Sequence, residues 1–220
     1  MRERRLIIAI DGPSGAGKGT VARTIAERLG YRHVDTGAMY RAVAWLAGVV
    51  GLDLQDADAV AGLASTAALD VNGSILINGH DVTQAIRTPE IDRSAAIVAR
   101  HSKVRAVLVQ RQRAYGEAGG IVMEGRDIGS VVFPQADVKV YLDATPEERA
   151  RRRAHDTSRP ATPQDNTAVV AQELAARDSS DRTRPVSPLT RTDDAVYIDT
   201  TGLAIDDVVA SVLTVIQTKL

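Results

Sequence analysis

Hydrophobic runs of strand length alternate with helical patterns along most of this chain. Residues 6–10 (Leu-Ile-Ile-Ala-Ile) form an apolar run that predicts a buried strand, and residues 21–29 have the spacing of an amphipathic helix. A second short strand is predicted at residues 31–35, and a second helix at residues 37–50. Strands that alternate with helices in this way are typical of an α/β fold, in which a parallel sheet has helices on both faces.

The same alternation resumes after residue 100. The pattern predicts strands at residues 120–124, 138–142 and 195–199, and helices at residues 104–115, 164–182 and 205–219. A capping box followed by a proline at the first helical position predicts one more helix start, at Thr145-Pro146-Glu147-Glu148.

Residues 53–100 interrupt the alternation. They contain two short β-like runs on either side of Asn72-Gly73, a dipeptide that favours a tight hairpin turn. A hairpin lodged between helices breaks the rhythm of strand and helix. We therefore predict a core domain of residues 1–52 and 101–220, with residues 53–100 as an inserted subdomain.

A glycine-rich segment with the form of a phosphate-binding loop lies between the first strand and the first helix. Its glycines let successive N–H groups point at phosphate oxygens, the helix N-terminus adds its dipole, and Lys18 reaches the β- and γ-phosphates. The alternative is a glycine-rich turn without a ligand, which would not require a lysine at this spacing. The motif predicts a nucleoside triphosphate site in a P-loop NTPase-type sheet. The loop residues are Gly12, Pro13, Ser14, Gly15, Ala16, Gly17, Lys18, Gly19 and Thr20.

The sequence leaves the metal ligands open. Gly19 stands where the common form of the loop has Ser or Thr, and Thr20 follows one place later. A loop hydroxyl could therefore contact Mg²⁺ directly or through water. Asp143 ends an apolar strand that resembles a Walker B strand, but it equally suits a cap at the strand end, so we assign no residue to the metal.

Composition excludes several classes of protein. The chain has 220 residues, no cysteine and a net charge of −1. Without cysteine there are no disulfides, thiolate metal sites or cysteine nucleophiles, which fits a reducing cytoplasm. The near-neutral charge gives no electrostatic reason to expect nucleic-acid or membrane binding. No apolar stretch approaches the ~18 residues that span a bilayer, and the five apolar residues after the N-terminus are too few for a signal peptide.

Two polar clusters follow predicted strands. The first, Asp35-Thr36-Gly37-Ala38-Met39-Tyr40-Arg41, suits a helix start with Thr36 as the N-cap, or a ligand site that includes Arg41. The second, Glu124-Gly125-Arg126-Asp127-Ile128-Gly129, brackets an Arg-Asp pair with glycines. That pair suits either a surface salt bridge or a ligand, and the carboxyl ends of parallel strands favour the ligand.

Five ordered motifs carry a family resemblance. GPSGAGKGT, DTGAMYR, VRAVLVQRQRAY, EGRDIGSVVFP and ARDSSDRTRPVSPL, in this order, resemble those of the bacterial cytidylate kinases. The resemblance covers nearly the whole chain. It implies transfer of the γ-phosphoryl group of ATP to CMP or dCMP, with Mg²⁺, in pyrimidine nucleotide metabolism. The insertion at residues 53–100 resembles the nucleoside-monophosphate-binding insert of that family, and residues 153–168 are expected to form a short lid.

The resemblance also implies roles for individual residues. The acceptor phosphate would be held by Thr36, Arg41 and Arg126, the cytosine ring by Arg105 and Asp127, and the ribose by Arg177 and Asp181, with Arg184 linking these last two to the phosphate region. The base assignment makes chemical sense, because a carboxylate accepts from the cytosine amino group and would repel the carbonyl of uracil. Ala96 replaces a serine that often touches the base, which makes the preference for CMP depend more on Arg105 and Asp127.

Arginines near residue 150 are candidates for stabilising the transferred phosphoryl group. Glu147 with Arg151 and Glu148 with Arg152 have the i,i+4 spacing of helix-surface pairs. Arg149 and Arg153 share a face without such partners, so we expect them to be lid contacts, although solvated surface charge is the alternative. Together with Lys18 and Arg126 they form the predicted catalytic set.

Three alternatives stay open at this stage. A kinase for another small acceptor, such as adenylate or shikimate, is disfavoured by the pairing of Arg105 with Asp127 and by the insertion. A nucleotide-dependent switch would ignore CMP. A nucleic-acid-associated ATPase would need a basic surface surplus that the chain lacks. Nothing in the sequence indicates an obligate assembly, so a cytoplasmic monomer is the expectation.

Overall fold

The computed structural model describes residues 5–156 and 166–219. Its strands are β1 (Ile7–Asp11), β2 (Arg32–Asp35), β3 (Leu69–Asp70), β4 (Leu76–Ile77), β5 (His80–Asp81), β6 (Ile121–Gly125), β7 (Val138–Asp143) and β8 (Val196–Asp199). Its α-helices are α1 (Lys18–Leu29), α2 (Thr36–Val49), α3 (Ala57–Thr66), α4 (Pro89–Val98), α5 (Ser102–Gly116), α6 (Pro146–Ala154), α7 (Thr167–Thr183) and α8 (Ile205–Gln217). A π-helical turn, Ile128–Val132, follows β6.

A five-stranded sheet in the order β2-β6-β1-β7-β8 confirms the predicted α/β class. β1 is parallel to β6 and β7, and β7 is parallel to β8. The register pairs Asp11 at the end of β1 with Gly125 on β6 and Tyr141 on β7. The segments that leave these three strands therefore start at the same edge of the sheet, where ligands bind in such folds.

The three inner strands of the sheet, β6, β1 and β7, are mostly apolar and almost wholly buried. α1 and α8 bury their apolar faces against β1 and β7, which is the usual way to cover a parallel sheet. The core they share includes Ile8, Ile10, Val21, Ile25, Val140, Leu142, Val208 and Val212.

Contacts divide the described residues into two compact units. The first unit comprises residues 5–34, 115–156 and 166–219, and the second comprises residues 35–114. The predicted insertion, residues 53–100, lies within the second unit, which also contains α2 and most of α5. A three-stranded antiparallel sheet, β3-β4-β5, packs in this unit, and the hairpin predicted around Asn72-Gly73 is the β3–β4 connection.

Two predicted helix starts have different outcomes. The Thr145 side chain accepts a hydrogen bond from the Glu148 N–H, as the capping box predicts. The prediction that Thr36 caps α2 is wrong, because the carboxylate of Asp35 accepts from the Ala38 N–H and Thr36 is the first helical residue. The Asp35 carboxylate caps the helix one residue earlier than a Thr36 hydroxyl would. Its negative charge is also stabilised by the positive end of the helix dipole.

Candidate active site

The phosphate-binding loop connects β1 to α1 in the first unit. Three glycines of the loop have positive φ angles that residues with side chains rarely adopt: 146° at Gly12, 81° at Gly15 and 86° at Gly17. A Cβ on Gly12 would overlap the carbonyl oxygen of Leu142, and a Cβ on Gly15 would lie 2.9 Å from the Cβ of Arg149. Glycine is thus required both by conformation and by the close approach of β7 and α6.

Lys18 is the buried cation of this loop, with 6 % of its surface exposed. Its Nζ donates to the Pro13 carbonyl oxygen at 2.6 Å, which folds the side chain back over the loop. Burial lowers the pKa of Lys18 to about 7, and the charge of Arg126 acts in the same direction, while Glu124 and Asp11 oppose both. An anion bound in the loop would provide a negatively charged partner for the Lys18 ammonium group.

Glu124 occupies the space beside Gly19. A Cβ on Gly19 would lie 3.1 Å from Glu124 Oε1, so the missing side chain leaves room for this carboxylate. Glu124 is buried at the carboxyl end of β6, and its Oε1 is 3.1 Å from Nε2 of His33. Carboxylate oxygens suit Mg²⁺, which usually binds phosphate oxygens and one or two carboxylates. In the part of the chain that the structure describes, no cluster of three or more metal-ligating residues is present.

The second polar cluster forms an ionic network with α7, also in the first unit. Arg126 Nε donates to Asp181 Oδ2 at 2.9 Å, and Arg184 lies 3.7 Å from carboxylate oxygens of both Asp127 and Asp181. Burial would lower the pKa of Arg126, but the carboxylates of Asp181, Asp178 and Glu124 outweigh it, so the pKa is raised. The structure thus brings together four of the predicted acceptor residues.

Asp11 holds this cluster next to the phosphate-binding loop. Its two carboxylate oxygens accept from the backbone N–H groups of Ile128 and Gly129 at 2.8 and 2.7 Å. Burial raises the pKa of Asp11 to about 6, although these two hydrogen bonds oppose the shift. The sequence places Glu124 in the second polar cluster without a role and does not single out Asp11 or His33; the signal for Asp11 is an acidic residue at the end of a predicted strand.

Three further predicted residues lie in the second unit. Arg41 donates to Asp35 Oδ2 at 2.8 Å, and Thr36 is buried beside it in the first turn of α2. Arg105 is 2 % exposed and lies over the ring of Tyr40, with 5.4 Å between its guanidinium carbon and the ring centroid. Tyr40, the residue before Arg41, therefore packs against Arg105.

The α6 arginines pair differently from the prediction. Glu148 binds both Arg151 and Arg152, so the predicted pair of Glu147 with Arg151 is wrong. The i,i+3 spacing lets Arg151 bind both oxygens of Glu148, at 2.8 Å each, and such a two-point contact is stronger than a single one. Arg149 has a carboxylate partner on another helix, Asp178 of α7, which intrahelical spacing could not reveal.

The structure also describes Asp143, predicted at a strand end, and Arg153, predicted as a lid contact. Asp143 accepts from the Ala144 N–H at 2.8 Å, as a strand-end cap does. Arg153 is half-buried on α6. Most of the predicted lid, residues 157–165, lies outside the described residues.

Comparisons with known proteins agree over the whole chain. A family model described as cytidylate kinase matches residues 8–218. A cytidylate kinase of Solibacter usitatus is 46% identical over 99% of this chain and 95% of its own length. A cytidylate kinase of Geobacillus kaustophilus is 44% identical over 99% of both chains.

A solved structure supports the same fold at lower similarity. The shikimate kinase of Acinetobacter baumannii aligns over 98% of this chain and 95% of its own, with a TM-score of 0.51 and 21% identity. At that identity the likeness concerns the fold alone. Among the helices of residues 5–156 and 166–219, none is long and apolar enough to cross a membrane.

Proposed function

Because this chain belongs to the cytidylate kinase family, it is a kinase that phosphorylates CMP with ATP, and we propose that residues 12–20 bind the ATP phosphates and that dCMP is a second acceptor. The observation that supports this assignment is the arrangement of the first unit. There the loop with its buried Lys18 and the network of Arg126 with Asp181 follow adjacent parallel strands.

The donor site relies on the backbone of the loop. Positive φ angles at Gly15 and Gly17 turn successive N–H groups to one side, and α1 begins at Lys18, so its dipole adds positive potential. Lys18 would exchange its bond to the Pro13 carbonyl for the β- and γ-phosphates. Mg²⁺ would neutralise charge between these phosphates, and Glu124 beside Gly19 is the residue best placed to hold it, directly or through water.

The acceptor residues fall into groups for the phosphate, the base and the sugar. By resemblance, Thr36, Arg41 and Arg126 hold the CMP phosphate. The base is read by Arg105 and Asp127, which are 2 % and 6 % exposed. Burial makes this reading selective, because uracil would leave the Asp127 carboxylate facing a carbonyl without water to relieve the repulsion. The sugar would be held by Arg177 and Asp181, with Arg184 between them and the phosphate region.

The reaction is direct phosphoryl transfer. An oxygen of the CMP phosphate attacks the γ-phosphorus of ATP, the bond to the β–γ bridging oxygen breaks, and ADP leaves with the negative charge. The attacking oxygen is already anionic, so no general base is needed, and catalysis consists of alignment and charge neutralisation. Lys18 and Arg126 supply positive charge, and Arg149 and Arg153 of α6 remain predicted contributors. We further propose that the protein acts in the cytoplasm as a monomer, without nucleic-acid or membrane partners.

A coupled assay of ADP release tests this function. We expect CMP and dCMP to accelerate ADP release far more than UMP or AMP at equal concentration. Equal stimulation by all four would reject the base assignment. Stimulation by none of them, together with slow ATP hydrolysis, would indicate a nucleotide-dependent switch instead.

A further inference from the structure

A buried ion pair joins α6, α7 and the phosphate-binding loop. Arg149 and Asp178 are 6 % and 4 % exposed, and Arg149 Nη1 donates to Asp178 Oδ2. The same nitrogen donates to the Ser14 carbonyl oxygen at 3.1 Å, and Nε donates to the Ala144 carbonyl oxygen at 3.0 Å. One guanidinium group therefore ties the loop to the end of β7 and to α7.

The loop backbone rests directly on the residue that forms this pair. A Cβ on Gly15 would lie 2.9 Å from both the Cβ and the carbonyl oxygen of Arg149, which leaves no room between the loop and α6. The position of the loop thus depends on where Arg149 lies. The orientation of Arg149 in turn depends on Asp178, because a buried guanidinium without its carboxylate would be strongly unfavourable.

Asp178 has features that a purely structural partner does not need. Its second oxygen, Oδ1, is buried and accepts no hydrogen bond from the described residues. The charge of Asp178 also acts on Arg126, which holds Asp181 one helical turn further along α7. Arg126 nevertheless has its own hydrogen-bonded carboxylate, Asp181, whereas Asp178 is hydrogen-bonded to Arg149, the arginine that contacts the donor loop.

We propose that Asp178 is a positioning residue for ATP binding: it holds Arg149 against the Ser14 carbonyl and so fixes the phosphate-binding loop in the conformation that accepts ATP. Arg149 thereby acts on ATP through the loop backbone. This inference rests on the proposed function in one respect, that residues 12–20 are the ATP site. It assigns to α7 a donor-side role in addition to the acceptor-side roles of Arg177 and Asp181.

The test compares substitutions at Asp178 with a matched control. Asp178→Asn keeps the shape and removes the charge. Asp194→Asn is the control for loss of one carboxylate charge in the same unit, since Asp194, whose side chain is 64 % exposed, pairs with the buried Lys139 at 2.7 Å. Each variant is measured for thermal midpoint, for MgATP binding by calorimetry without acceptor, and for the KM of ATP and of CMP.

We expect Asp178→Asn to weaken MgATP binding and raise the KM of ATP by about tenfold, the loss of one charge-assisted hydrogen bond. The KM of CMP should stay within about twofold. Asp194→Asn should leave both KM values unchanged, whatever it does to the thermal midpoint. An unchanged KM of ATP in folded Asp178→Asn, or an equal rise in both KM values, would overturn the proposal.

Two further variants extend the test, and the first of them is sufficient by itself if Asp178→Asn does not fold. Arg149→Lys retains the buried charge but lacks the fork whose Nε holds the Ala144 carbonyl while Nη1 reaches Ser14 and Asp178, so it should also raise the KM of ATP selectively. In Asp178→Asn combined with Arg149→Lys, the effects on MgATP binding should be less than additive, because both remove the same link. Unaltered MgATP binding in Arg149→Lys, or full additivity, would contradict the proposal. Because binding is measured without CMP, these outcomes are independent of whether CMP is the acceptor.

Discussion

Binding of MgATP should add a proton to Lys18. Burial, reinforced by Arg126, lowers the pKa of Lys18 to about 7, so roughly three quarters of these side chains are neutral at pH 7.5 and roughly one tenth at pH 6. The phosphates of ATP would bring several negative charges within contact distance, which favours the ammonium form. We therefore expect an uptake of roughly 0.7 proton per ATP bound at pH 7.5 and a larger uptake at pH 8.5.

Calorimetry in buffers of different ionisation enthalpy measures this uptake. MgATP is titrated without acceptor, so that no turnover occurs, and the observed heat is plotted against the ionisation enthalpy of the buffer. The slope gives the number of protons taken up. Arg126→Gln provides a matched variant, because removal of its charge should raise the pKa of Lys18 and reduce the uptake at pH 7.5.

A slope of zero for the wild-type protein between pH 7.5 and 8.5 would refute the reasoning. So would an uptake that persists in Lys18→Arg, where the side chain is always charged. Either result would mean that Lys18 is protonated before ATP arrives, and that the protein compensates its burial in some other way.

Three further predictions concern specificity and stability. Asp127→Asn should reduce the ratio of kcat/KM for CMP over UMP at least tenfold, while the KM of ATP stays within about twofold, because an amide can face either base; an unchanged ratio would show that Asp127 does not read the base. Gly12→Ala should lower the free energy of unfolding by several kcal/mol in chemical denaturation, since its Cβ overlaps the Leu142 carbonyl, whereas Gly30→Ala, with open space around it, should cost only about 1 kcal/mol; equal costs would contradict this. Burial raises the pKa of Asp11 to about 6 from an ordinary value near 4, so between these pH values the folded protein binds a proton that the unfolded protein has lost. The contribution of Asp11 to the free energy of unfolding should therefore decline as pH rises from 4 to 6, and Asp11→Asn should remove this decline. A decline that persists in the variant would show that another group causes it.

Local patterns predicted the sheet because the relevant information is local. An apolar run of five residues such as 6–10 is short for a helix and is followed by a glycine-rich turn, which favours a buried strand, and the glycines and Lys18 of the loop have fixed spacing. The sequence predicts Thr36 as the cap of α2 where the structure has Asp35, because both residue types suit the role and only the backbone geometry distinguishes them.

Contacts between distant segments could not be predicted in the same way. Asp11 reaches the N–H groups of residues 128 and 129, more than a hundred positions away. Arg149 and Asp178 lie on different helices, and their pairing depends on how α6 and α7 pack. A single sequence records that these residues are charged but not which of them meet, since that is decided by tertiary packing.

The most direct test of the whole account follows the γ-phosphate. ATP labelled at that position is incubated with the protein and Mg²⁺, with and without CMP, and the products are separated. We expect the label to appear in the terminal phosphate of CDP when CMP is present, with little released as inorganic phosphate under either condition. Release of labelled inorganic phosphate at the same rate with and without CMP would contradict it.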